Sequence, residues 1–366
     1  MIPFLSFDYQ QKLLREKLIK KTAEILDSKF YVLGNEVSLF EKQFANLLGI
    51  DHAAGVGSGL DGLVIALKAL KIKPADEVIV PSNTYIASWL AISQIGAKII
   101  PVEPDIKTYN IDPLKIEDKI TSKTKVIMPV HLYGQACDMT SIMKIANKNN
   151  LFVVEDNAQA QLSTWDGQFT GTFGNVNATS FYPTKNLGAI GEAGCVTTKS
   201  KEIMEFCKIY RNYGSKRKYI NSIKGVNSRI DEIQAGFLNV KLDFIEEFTN
   251  QRRIQAEYYN KNLPNFENCI LPFQQSNSNS VFHLYVIQSP QRDKLQKYLM
   301  QNHIGSAIHY PIPPHLQIAY KELGFNNGDF PISEKLAKNL LSIPLYPGLK
   351  KTDQDYIIET IRSFFK

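Results

Sequence analysis

Three side chains near the middle of the chain are of the types that could together hold one cofactor. Lys185 lies just past a predicted strand, Ser180 lies five residues before it, and Asp156 ends an upstream predicted strand, 29 residues before the lysine. An amine can bond covalently to an aldehyde, a hydroxyl can bind a phosphate, and a carboxylate can keep a pyridine nitrogen protonated. Pyridoxal phosphate needs these three groups, so the set predicts a pyridoxal phosphate site.

Each of these residues also has an ordinary explanation when it is taken alone. Most lysines are solvated surface charges, and Lys185 could lie in a glycine-rich loop that simply follows a strand. Asp156 could cap a helix that begins at Asn157. The joint presence of the three groups favours the cofactor site, because ligands of open α/β sheets bind beyond the carboxyl ends of strands.

A second glycine-rich segment could bind the phosphate. The turn GVGSGLD at 55–61 follows a predicted strand and begins a predicted helix, and the backbone N–H groups of such a helix start bind phosphate. The turn has neither the G-x-G-x-x-G pattern with a ribose-binding acid nor a Walker lysine, which disfavours a dinucleotide or P-loop site. We therefore predict a phosphate cup, and a plain strand–helix turn fits nearly as well.

An aromatic side chain is available to cover the cofactor ring. Tyr85 follows the next predicted strand within the segment PSNTY at 81–85, and its ring could stack on a flat cofactor. Trp89 lies one helical turn further on, and its position is more typical of a core residue. We therefore favour Tyr85 for stacking.

These groups can meet only if several strands end at one edge of a sheet. Short apolar strands alternate with helical segments up to about residue 200, which predicts an α/β fold with a mixed, mostly parallel sheet of seven strands flanked by helices. The predicted strands are 53–57, 77–81, 97–102, 124–131, 151–155, 177–181 and 193–198. The predicted helices are 8–28, 36–48 with Asn35 as its cap and Gly49 as its end, 59–70, 84–95, 112–120 and 139–149.

The pattern changes after about residue 200. Helices are predicted over 200–213, 230–262, 291–303 and 353–365, with strands over 281–288 and near 305–309. We therefore expect a large cofactor-binding α/β domain over residues 1–244 and a smaller C-terminal α+β domain over residues 245–366.

Composition limits the classes of function. The 366 residues, 44% of them hydrophobic, are enough for a large core. Lys and Arg exceed Asp and Glu by 42 − 36 = 6 without a long basic run, which suits an anionic small molecule better than a nucleic acid. The four cysteines have no CxxC spacing, no apolar run is long enough for a membrane span, and the N-terminus lacks a signal-peptide pattern. We expect a cytoplasmic protein that binds no metal, membrane or nucleic acid.

With these motifs in view, the chain resembles the nucleotide-sugar aminotransferases of the DegT/DnrJ/StrS group, which are pyridoxal phosphate enzymes of fold type I. The resemblance extends over almost the whole chain. Its motifs are GNEV at 34–37, GSGLD at 57–61, PSNTY at 81–85, HLYGQ at 131–135, EDNAQ at 155–159, SFYPTKNLG at 180–188, NSRIDEIQA at 227–235 and HYP at 309–311.

The resemblance implies roles for the cofactor-binding residues. Lys185 would be the catalytic residue that bonds to the cofactor, Asp156 would pair with the ring nitrogen, and Gln159 would lie over the ring. Asn227 would reach the phosphate of the neighbouring subunit's cofactor, so the enzyme would be a homodimer with shared active sites. The implied cofactor-binding set is Gly59, Leu60, Tyr85, Asp156, Gln159, Ser180, Lys185 and Asn227, and the implied substrate-binding set is Tyr182, Lys218, Tyr219, Arg229, His309 and Tyr310.

Two features of the resemblance narrow the chemistry. Some relatives carry histidine in place of Lys185 and perform deoxygenation with pyridoxamine phosphate, so the lysine favours transamination. The segment 211–227, and mainly GSxxKY at 214–219, resembles the branch that acts at C3 of dTDP-3-keto-6-deoxyhexoses. Its basic groups suit a sugar diphosphate, although each could also belong to a solvated charged loop.

We therefore expect an aminotransferase that moves an amino group from L-glutamate, which becomes 2-oxoglutarate, to C3 of a dTDP-3-keto-6-deoxyhexose. The product would be a dTDP-3-amino-3,6-dideoxyhexose for glycan biosynthesis, and pyridoxamine phosphate would carry the amino group between half-reactions. Two alternatives stay open: a C4 aminotransferase acting on a UDP- or dTDP-4-keto sugar, and a non-catalytic regulator that binds the cofactor or DNA. The sequence does not decide between the gluco and galacto epimers of the sugar.

Overall fold

The computed structural model describes residues 1–263 and 268–366. Its α-helices are α1 (Asp8–Ser28), α2 (Asn35–Leu48), α3 (Gly59–Ala69), α4 (Ile86–Gln94), α5 (Met139–Lys148), α6 (Lys201–Tyr210), α7 (Glu232–Leu242), α8 (Ile245–Asn262), α9 (Arg292–Gln301), α10 (Pro331–Asn339) and α11 (Lys351–Phe365). Its strands are β1 (His52–Val56), β2 (Glu77–Pro81), β3 (Lys98–Val102), β4 (Thr124–Ile127), β5 (Phe152–Asp156), β6 (Thr164–Trp165), β7 (Gln168–Phe169), β8 (Val176–Ser180), β9 (Gly194–Thr198), β10 (Ser215–Arg217), β11 (Ile220–Asn221), β12 (Ser278–Asn279), β13 (Tyr285–Gln288) and β14 (Leu340–Ile343).

The centre of the fold is a seven-stranded sheet in the order β1-β9-β8-β5-β4-β2-β3. The strands β8, β5, β4, β2 and β3 run parallel, while β9 is antiparallel to both of its neighbours, β1 and β8. The predicted mixed, mostly parallel seven-stranded sheet is confirmed. The parallel strands therefore present their carboxyl ends along one edge, where ligands bind in such sheets.

Both faces of this sheet are buried. Val78 and Val80 of β2 belong to one core cluster, whereas Ile79 between them belongs to another. Val154 and Val153 of β5 divide in the same way. Because successive side chains of a strand point to opposite faces, each face carries its own core, and this explains the continuous apolar runs of these strands.

The start of α2 is fixed differently from the prediction. Gly34, not Asn35, is the capping residue, and no side chain caps the helix locally. The carboxylate of Glu232 in α7 instead accepts hydrogen bonds from the N–H groups of Gly34 (2.6 Å), Glu36 (2.9 Å) and Val37 (3.1 Å). The predicted end of the helix at Gly49 is confirmed, and its φ of 63° is a left-handed conformation that glycine adopts readily.

The predicted single helix over 230–262 is wrong. The chain forms two helices, α7 and α8, which a turn at Asp243 and Phe244 separates, and the ring of Phe244 stacks on that of Phe248. Leu238 of α7 then joins the core cluster beneath α2, while Tyr259 of α8 enters the C-terminal core. No glycine or proline separates the two halves, so their helical spacing alone could not reveal the break.

The predicted helix over 112–120 is also wrong, because the segment forms two 3₁₀ turns, Pro113–Lys115 and Glu117–Lys119. Ile116 is the one fully buried side chain between residues 113 and 119. A segment with so small an apolar face gains little from packing as a full helix.

Several further elements differ from the sequence prediction. The strand predicted over 281–288 is shortened to β13, because the N–H groups of Val281 and Leu284 donate to the carbonyls of Gly134 and Tyr133. The strand predicted near 305–309 is a single bridge between Ala307 and Ser342. The helix α10, the strand β14 and the hairpin β10–β11 were not predicted.

The C-terminal residues form a second core around the β13–β14 pair. Its buried members, in α8, α9, α11 and the two strands, include Tyr259, Leu295, Leu341 and Ile357. The helix α8 begins at residue 245, the predicted domain boundary, and the division into domains at that point stays a prediction. No helix of the described residues is long and apolar enough to cross a membrane.

Candidate active site

Asp156 lies at the carboxyl end of β5, a central strand of the sheet. Its carboxylate is buried and accepts hydrogen bonds from the Ser88 hydroxyl (2.7 Å) and the Ala158 N–H (3.1 Å). No helix begins at Asn157, so the helix-cap explanation is wrong. Burial raises the pKa of Asp156, while the two hydrogen bonds and the charge of Lys185 oppose that rise.

His131 and Glu155, the residue before Asp156, form a buried hydrogen-bonded pair. His131 accepts a hydrogen bond at Nδ1 from the Cys137 N–H (3.0 Å), so the proton is assigned to Nε2, which donates to Glu155 (2.9 Å). Glu155 also accepts three backbone N–H hydrogen bonds from residues 171–174, at 2.7, 2.7 and 2.8 Å. The residue that precedes Asp156 is thus held rigidly, which fixes the direction of the next side chain.

Lys185 is at the centre of a closed turn. The N–H of Ala189 donates to the carbonyl of Phe181 (2.8 Å), and the N–H of Lys185 donates to the carbonyl of Tyr182 (2.8 Å). Burial lowers the pKa of Lys185 to about 8, and the negative charge of Asp156 opposes this shift. A lysine in such surroundings has a substantial neutral fraction near physiological pH, as a nucleophilic amine requires.

Gln159 joins the sheet edge to the C-terminal part of the chain. Its side-chain oxygen accepts a hydrogen bond from the Tyr133 N–H (2.7 Å), and its side-chain nitrogen donates to the Tyr310 hydroxyl (3.0 Å). The ring of Tyr310 lies 5.1 Å from that of Tyr85, which is half-exposed at the start of α4. Trp89 is instead fully buried in the core, as expected.

The start of α3 has the free donors that the predicted phosphate cup requires. Ser58 caps the helix by accepting the Asp61 N–H (3.1 Å), and the N–H groups of Gly59 and Leu60 have no acceptor among the described residues. A side chain on Gly59 would meet the Cβ of Ser180 at 2.7 Å, so glycine allows the helix start and Ser180 to lie side by side. Two N–H donors and a hydroxyl are therefore available together for an anion.

His309 and Tyr310 form the C-terminal wall of the site. The Nδ1 of His309 lies 2.8 Å from the Ser342 hydroxyl, and the carbonyl of His309 accepts a hydrogen bond from the Tyr133 hydroxyl. Burial, together with the charge of Lys185, lowers the pKa of His309 to about 4. The imidazole is therefore neutral and can serve as a hydrogen-bonding group beside the lysine.

The structure adds residues that the sequence did not indicate. His283 is buried, and its Nδ1 lies 3.1 Å from the side-chain oxygen of Asn186, the residue after Lys185. Burial, with the charge of Lys185 next in size, lowers the pKa of His283 well below its usual value. Ser88 is also new, and Tyr133, which lies in the motif HLYGQ, had no assigned role. Asn186 lies within the motif SFYPTKNLG at 180–188. No local pattern identifies Ser88 as a partner of Asp156 or His283 as a partner of Asn186, because these pairs are far apart in sequence.

The side chains of five predicted site residues make no hydrogen bond to this cluster among the described residues. Asn227 is exposed, and so are Lys218 and Tyr219 at the tip of the hairpin β10–β11, where Tyr219 is 87% exposed. Lys218 lies over the ring of Tyr219 at 5.2 Å. The remaining two are Tyr182, which is also exposed, and Arg229, which donates to Asn212 (2.9 Å).

The cluster at the sheet edge fits pyridoxal phosphate. The N–H groups of Gly59 and Leu60 and the hydroxyl of Ser180 suit its phosphate, the buried carboxylate of Asp156 suits a ring N–H, and Lys185 supplies an amine of lowered pKa. No group of three His, Cys, Asp or Glu side chains that could hold a metal occurs in the described part of the chain.

Comparisons with known proteins agree with this geometry. The model of the DegT/DnrJ/EryC1/StrS aminotransferase family matches residues 12–362. A dTDP-3-amino-3,6-dideoxy-alpha-D-galactopyranose transaminase of Aneurinibacillus thermoaerophilus is 46% identical over 364 residues, which cover 100% of this chain and 99% of the relative.

Two solved structures extend the similarity to three dimensions. S. venezuelae DesV is 40% identical with a TM-score of 0.98, and the alignment covers 100% of this chain and 98% of DesV. NtdA of Bacillus subtilis, whose structure contains the cofactor PMP, is 29% identical with a TM-score of 0.93, over 100% of this chain and 85% of NtdA.

Proposed function

Because the chain belongs to the DegT/DnrJ/EryC1/StrS aminotransferase family, which uses pyridoxal phosphate, we propose that it transfers an amino group from L-glutamate to C3 of a dTDP-3-keto-6-deoxyhexose. The product is a dTDP-3-amino-3,6-dideoxyhexose. The observation that carries the proposal is the arrangement of Lys185 and the buried Asp156 at one edge of the sheet. The full-length similarity to a transaminase named for a dTDP-3-amino-3,6-dideoxy sugar supports the substrate.

Lys185 acts both as the amine that holds the cofactor and as a mobile base. Bound pyridoxal phosphate supplies an aldehyde for the amine and a ring that withdraws electrons from the adjacent carbon. With the cofactor bound, the Lys185 amine would be the base that takes a proton from the α-carbon of the amino donor and later gives it back. Its pKa of about 8 lets it take and release a proton near neutral pH.

The other residues hold the reacting groups in place. The carboxylate of Asp156, directed by Ser88 and the Ala158 N–H, keeps the ring nitrogen protonated. The cup of Gly59, Leu60 and Ser180 fixes the phosphate. Together these contacts orient the cofactor so that Lys185 stays within reach of the reacting carbon.

The exposed residues are proposed to complete the site of a second copy of the chain. Asn227 has no side-chain hydrogen bond among the described residues, and it lies on the same surface segment as the hairpin β10–β11, to which it is connected through the Asn212–Asn227 bridge. The hairpin carries Lys216, Arg217 and Lys218, which are all exposed. Their charges suit the diphosphate of a sugar nucleotide.

Subunit mixing tests the shared site. Lys185→Ala removes the amine from one copy, and Asn227→Asp places a carboxylate against the phosphate of the other copy's cofactor, so we expect each variant alone to be nearly inactive. Mixed dimers contain one site with both native residues, so activity should return after subunit exchange. Each variant refolded by itself is the control, and a mixture that stays inactive would contradict the shared site.

The substrate is tested with purified protein, L-glutamate and separate keto sugars. We expect amination of a dTDP-3-keto-6-deoxyhexose, with its gluco and galacto epimers assayed in parallel to establish which one is used. A preference for a UDP- or dTDP-4-keto sugar would replace the proposal with a C4 aminotransferase. Failure to convert glutamate to 2-oxoglutarate, together with salt-sensitive binding to duplex DNA, would favour a regulator.

A further inference from the structure

Lys241, near the end of α7, is a buried lysine outside the cofactor-binding set. Lys241 is 8% exposed, and its ammonium donates a hydrogen bond to the carbonyl of Gly188 at 2.6 Å. No carboxylate lies within ion-pair distance of it among the described residues. Burial lowers its pKa to about 8.

A buried ammonium that has no carboxylate partner is unfavourable for the stability of the fold. Removing the charge from water carries a desolvation penalty that one carbonyl contact offsets only in part. An apolar side chain of similar size, such as methionine, would fill the same space without that penalty. A benefit other than stability is therefore needed to explain a lysine here.

The carbonyl that Lys241 contacts belongs to the turn that carries Lys185. The turn runs from Phe181 to Ala189, is closed by their backbone hydrogen bond, and has Lys185 at its centre. Gly188 lies on the returning limb, where a side chain would meet the carbonyl oxygen of Pro183 at 2.3 Å. A shift of Gly188 would therefore move both limbs of the turn.

The same turn is held at two further points. Gln234, also in α7, accepts the N–H of Ile190 at 3.0 Å. On the other side, Asn186 donates to the carbonyl of Val281 (3.1 Å) and contacts His283. Lys241 is the charged member of this set, and charge-assisted hydrogen bonds are the stronger ones.

We propose that Lys241 is a positioning residue, which fixes the Lys185 turn through the Gly188 carbonyl. The Lys185 side chain would be freed in one half-reaction and would bond to the cofactor again in the other, and a backbone that does not move keeps its amine aligned for proton transfer. The proposal rests on the proposed role of Lys185 but not on the identity of the sugar.

The test compares Lys241→Met with Lys21→Met. Lys21 lies on α1 where that helix packs on α7, close to Gly236, and it pairs with Glu24 and Glu36 without contacting the turn. In cofactor-free protein, we expect Lys241→Met to accelerate amide hydrogen exchange at residues 185–190 about 10-fold, with an equal or higher melting temperature. Lys21→Met should leave exchange at these residues unchanged.

The reaction supplies a second measurement. In the cofactor-loaded enzyme, the single-turnover rate with L-glutamate should fall about 10- to 100-fold in Lys241→Met, because small misplacements of reacting groups have effects of this size. The dissociation constant of glutamate should stay the same, and Lys241→Arg should recover part of the rate.

Two results would overturn the positioning role. One is exchange at 185–190 and a turnover rate within about twofold of the native protein. The other is a lowered melting temperature with faster exchange throughout the chain, which would make Lys241 an ordinary stabilising residue. Hydrogen exchange in the cofactor-free protein does not depend on catalysis, so it separates failure of this proposal from failure of the proposed function.

Discussion

The deep end of the site and its exposed rim are built in contrasting ways. At the deep end, Asp156, Gln159 and their neighbours are buried and joined by hydrogen bonds to residues throughout the chain. At the rim, Asn227 and the hairpin tip at Lys218 and Tyr219 are exposed and have few fixed contacts. The contacts of the deep end all lie within one chain, whereas the rim holds the residues that we propose complete the site of a second copy.

This contrast separates two tasks. Proton transfer requires groups that are held to within a fraction of an ångström before the substrate arrives, and only a buried hydrogen-bonded network holds them so. Recognition of a charged sugar nucleotide needs cationic donors that can adapt to the ligand, and exposed lysines and arginines provide these. Variants at the deep end should therefore change rates, and variants at the basic hairpin tip of the rim should change substrate affinity.

Lys185→Ala should have the largest effect, because it removes both the amine that bonds to the cofactor and the base that moves the proton. General acid–base catalysis alone contributes roughly 100- to 10,000-fold, so turnover should fall by at least about 1,000-fold. The visible absorption band of the lysine-bound cofactor should disappear. Retained turnover with an unchanged band would exclude the assigned role.

The pH dependence of cofactor binding should be the next largest effect. The pKa of Lys185 is lowered to about 8, and only the neutral amine attacks an aldehyde. Half of the amine is neutral at pH 8 and about 1% at pH 6, so attachment of pyridoxal phosphate to the cofactor-free protein should be about 50-fold slower at pH 6 than at pH 8. Stopped-flow absorbance measures this rate, and a profile that keeps rising steeply to about pH 10 would show an unshifted lysine.

Asp156→Asn should reduce the rate of the glutamate half-reaction roughly 10- to 100-fold. The amide keeps the shape but not the charge that holds the ring proton, and hydrogen bonds to charged groups contribute about 1.5–3 kcal/mol. Single-turnover kinetics measure the rate, with the melting temperature as the check on folding. A normal rate would show that the buried carboxylate has a purely structural role.

Lys218→Ala should weaken binding of the nucleotide sugar without changing the reaction at the deep end of the site. We expect the KM for the nucleotide sugar to rise up to about tenfold, as for the loss of one charge-assisted contact, with the glutamate half-reaction unchanged. Lys201→Ala removes another exposed lysine, in α6, and serves as the control. A slower glutamate half-reaction in Lys218→Ala would break the distinction between the two regions.

Ser88→Ala should have the smallest effect. It removes one of the two hydrogen bonds that direct the Asp156 carboxylate. Because the Ala158 N–H still holds the carboxylate, we expect a loss no larger than that of a typical single hydrogen bond, about 0.5–1.5 kcal/mol. The half-reaction should slow by roughly 2- to 10-fold, and the loss should vanish when Ser88→Ala is combined with Asp156→Asn. Equal losses in both backgrounds would mean that Ser88 acts independently of Asp156.

Much of the deep end could be predicted from the sequence because its signals are local. Lys185, Ser180 and the turn at Gly59 lie at strand or helix ends, and the alternation of apolar residues located all seven strands of the main sheet to within a few residues. The helix 230–262 was predicted as one element because the break between α7 and α8 has no local marker. Where helical spacing continues through a change of direction, packing against two different cores decides the path.

The amino-acid sequence by itself therefore determined the chemistry of this protein: an amine, a carboxylate and a phosphate cup at strand ends, in an order typical of one aminotransferase family. Only the tertiary structure decided which side chains, distant in sequence, position these reacting groups. Ser88 directs Asp156, His283 contacts Asn186, and Lys241 holds Gly188. The physical reason is that side chains far apart in sequence meet only after the elements have packed, and hydrogen bonding and burial then set the directions and pKa values of the reacting groups.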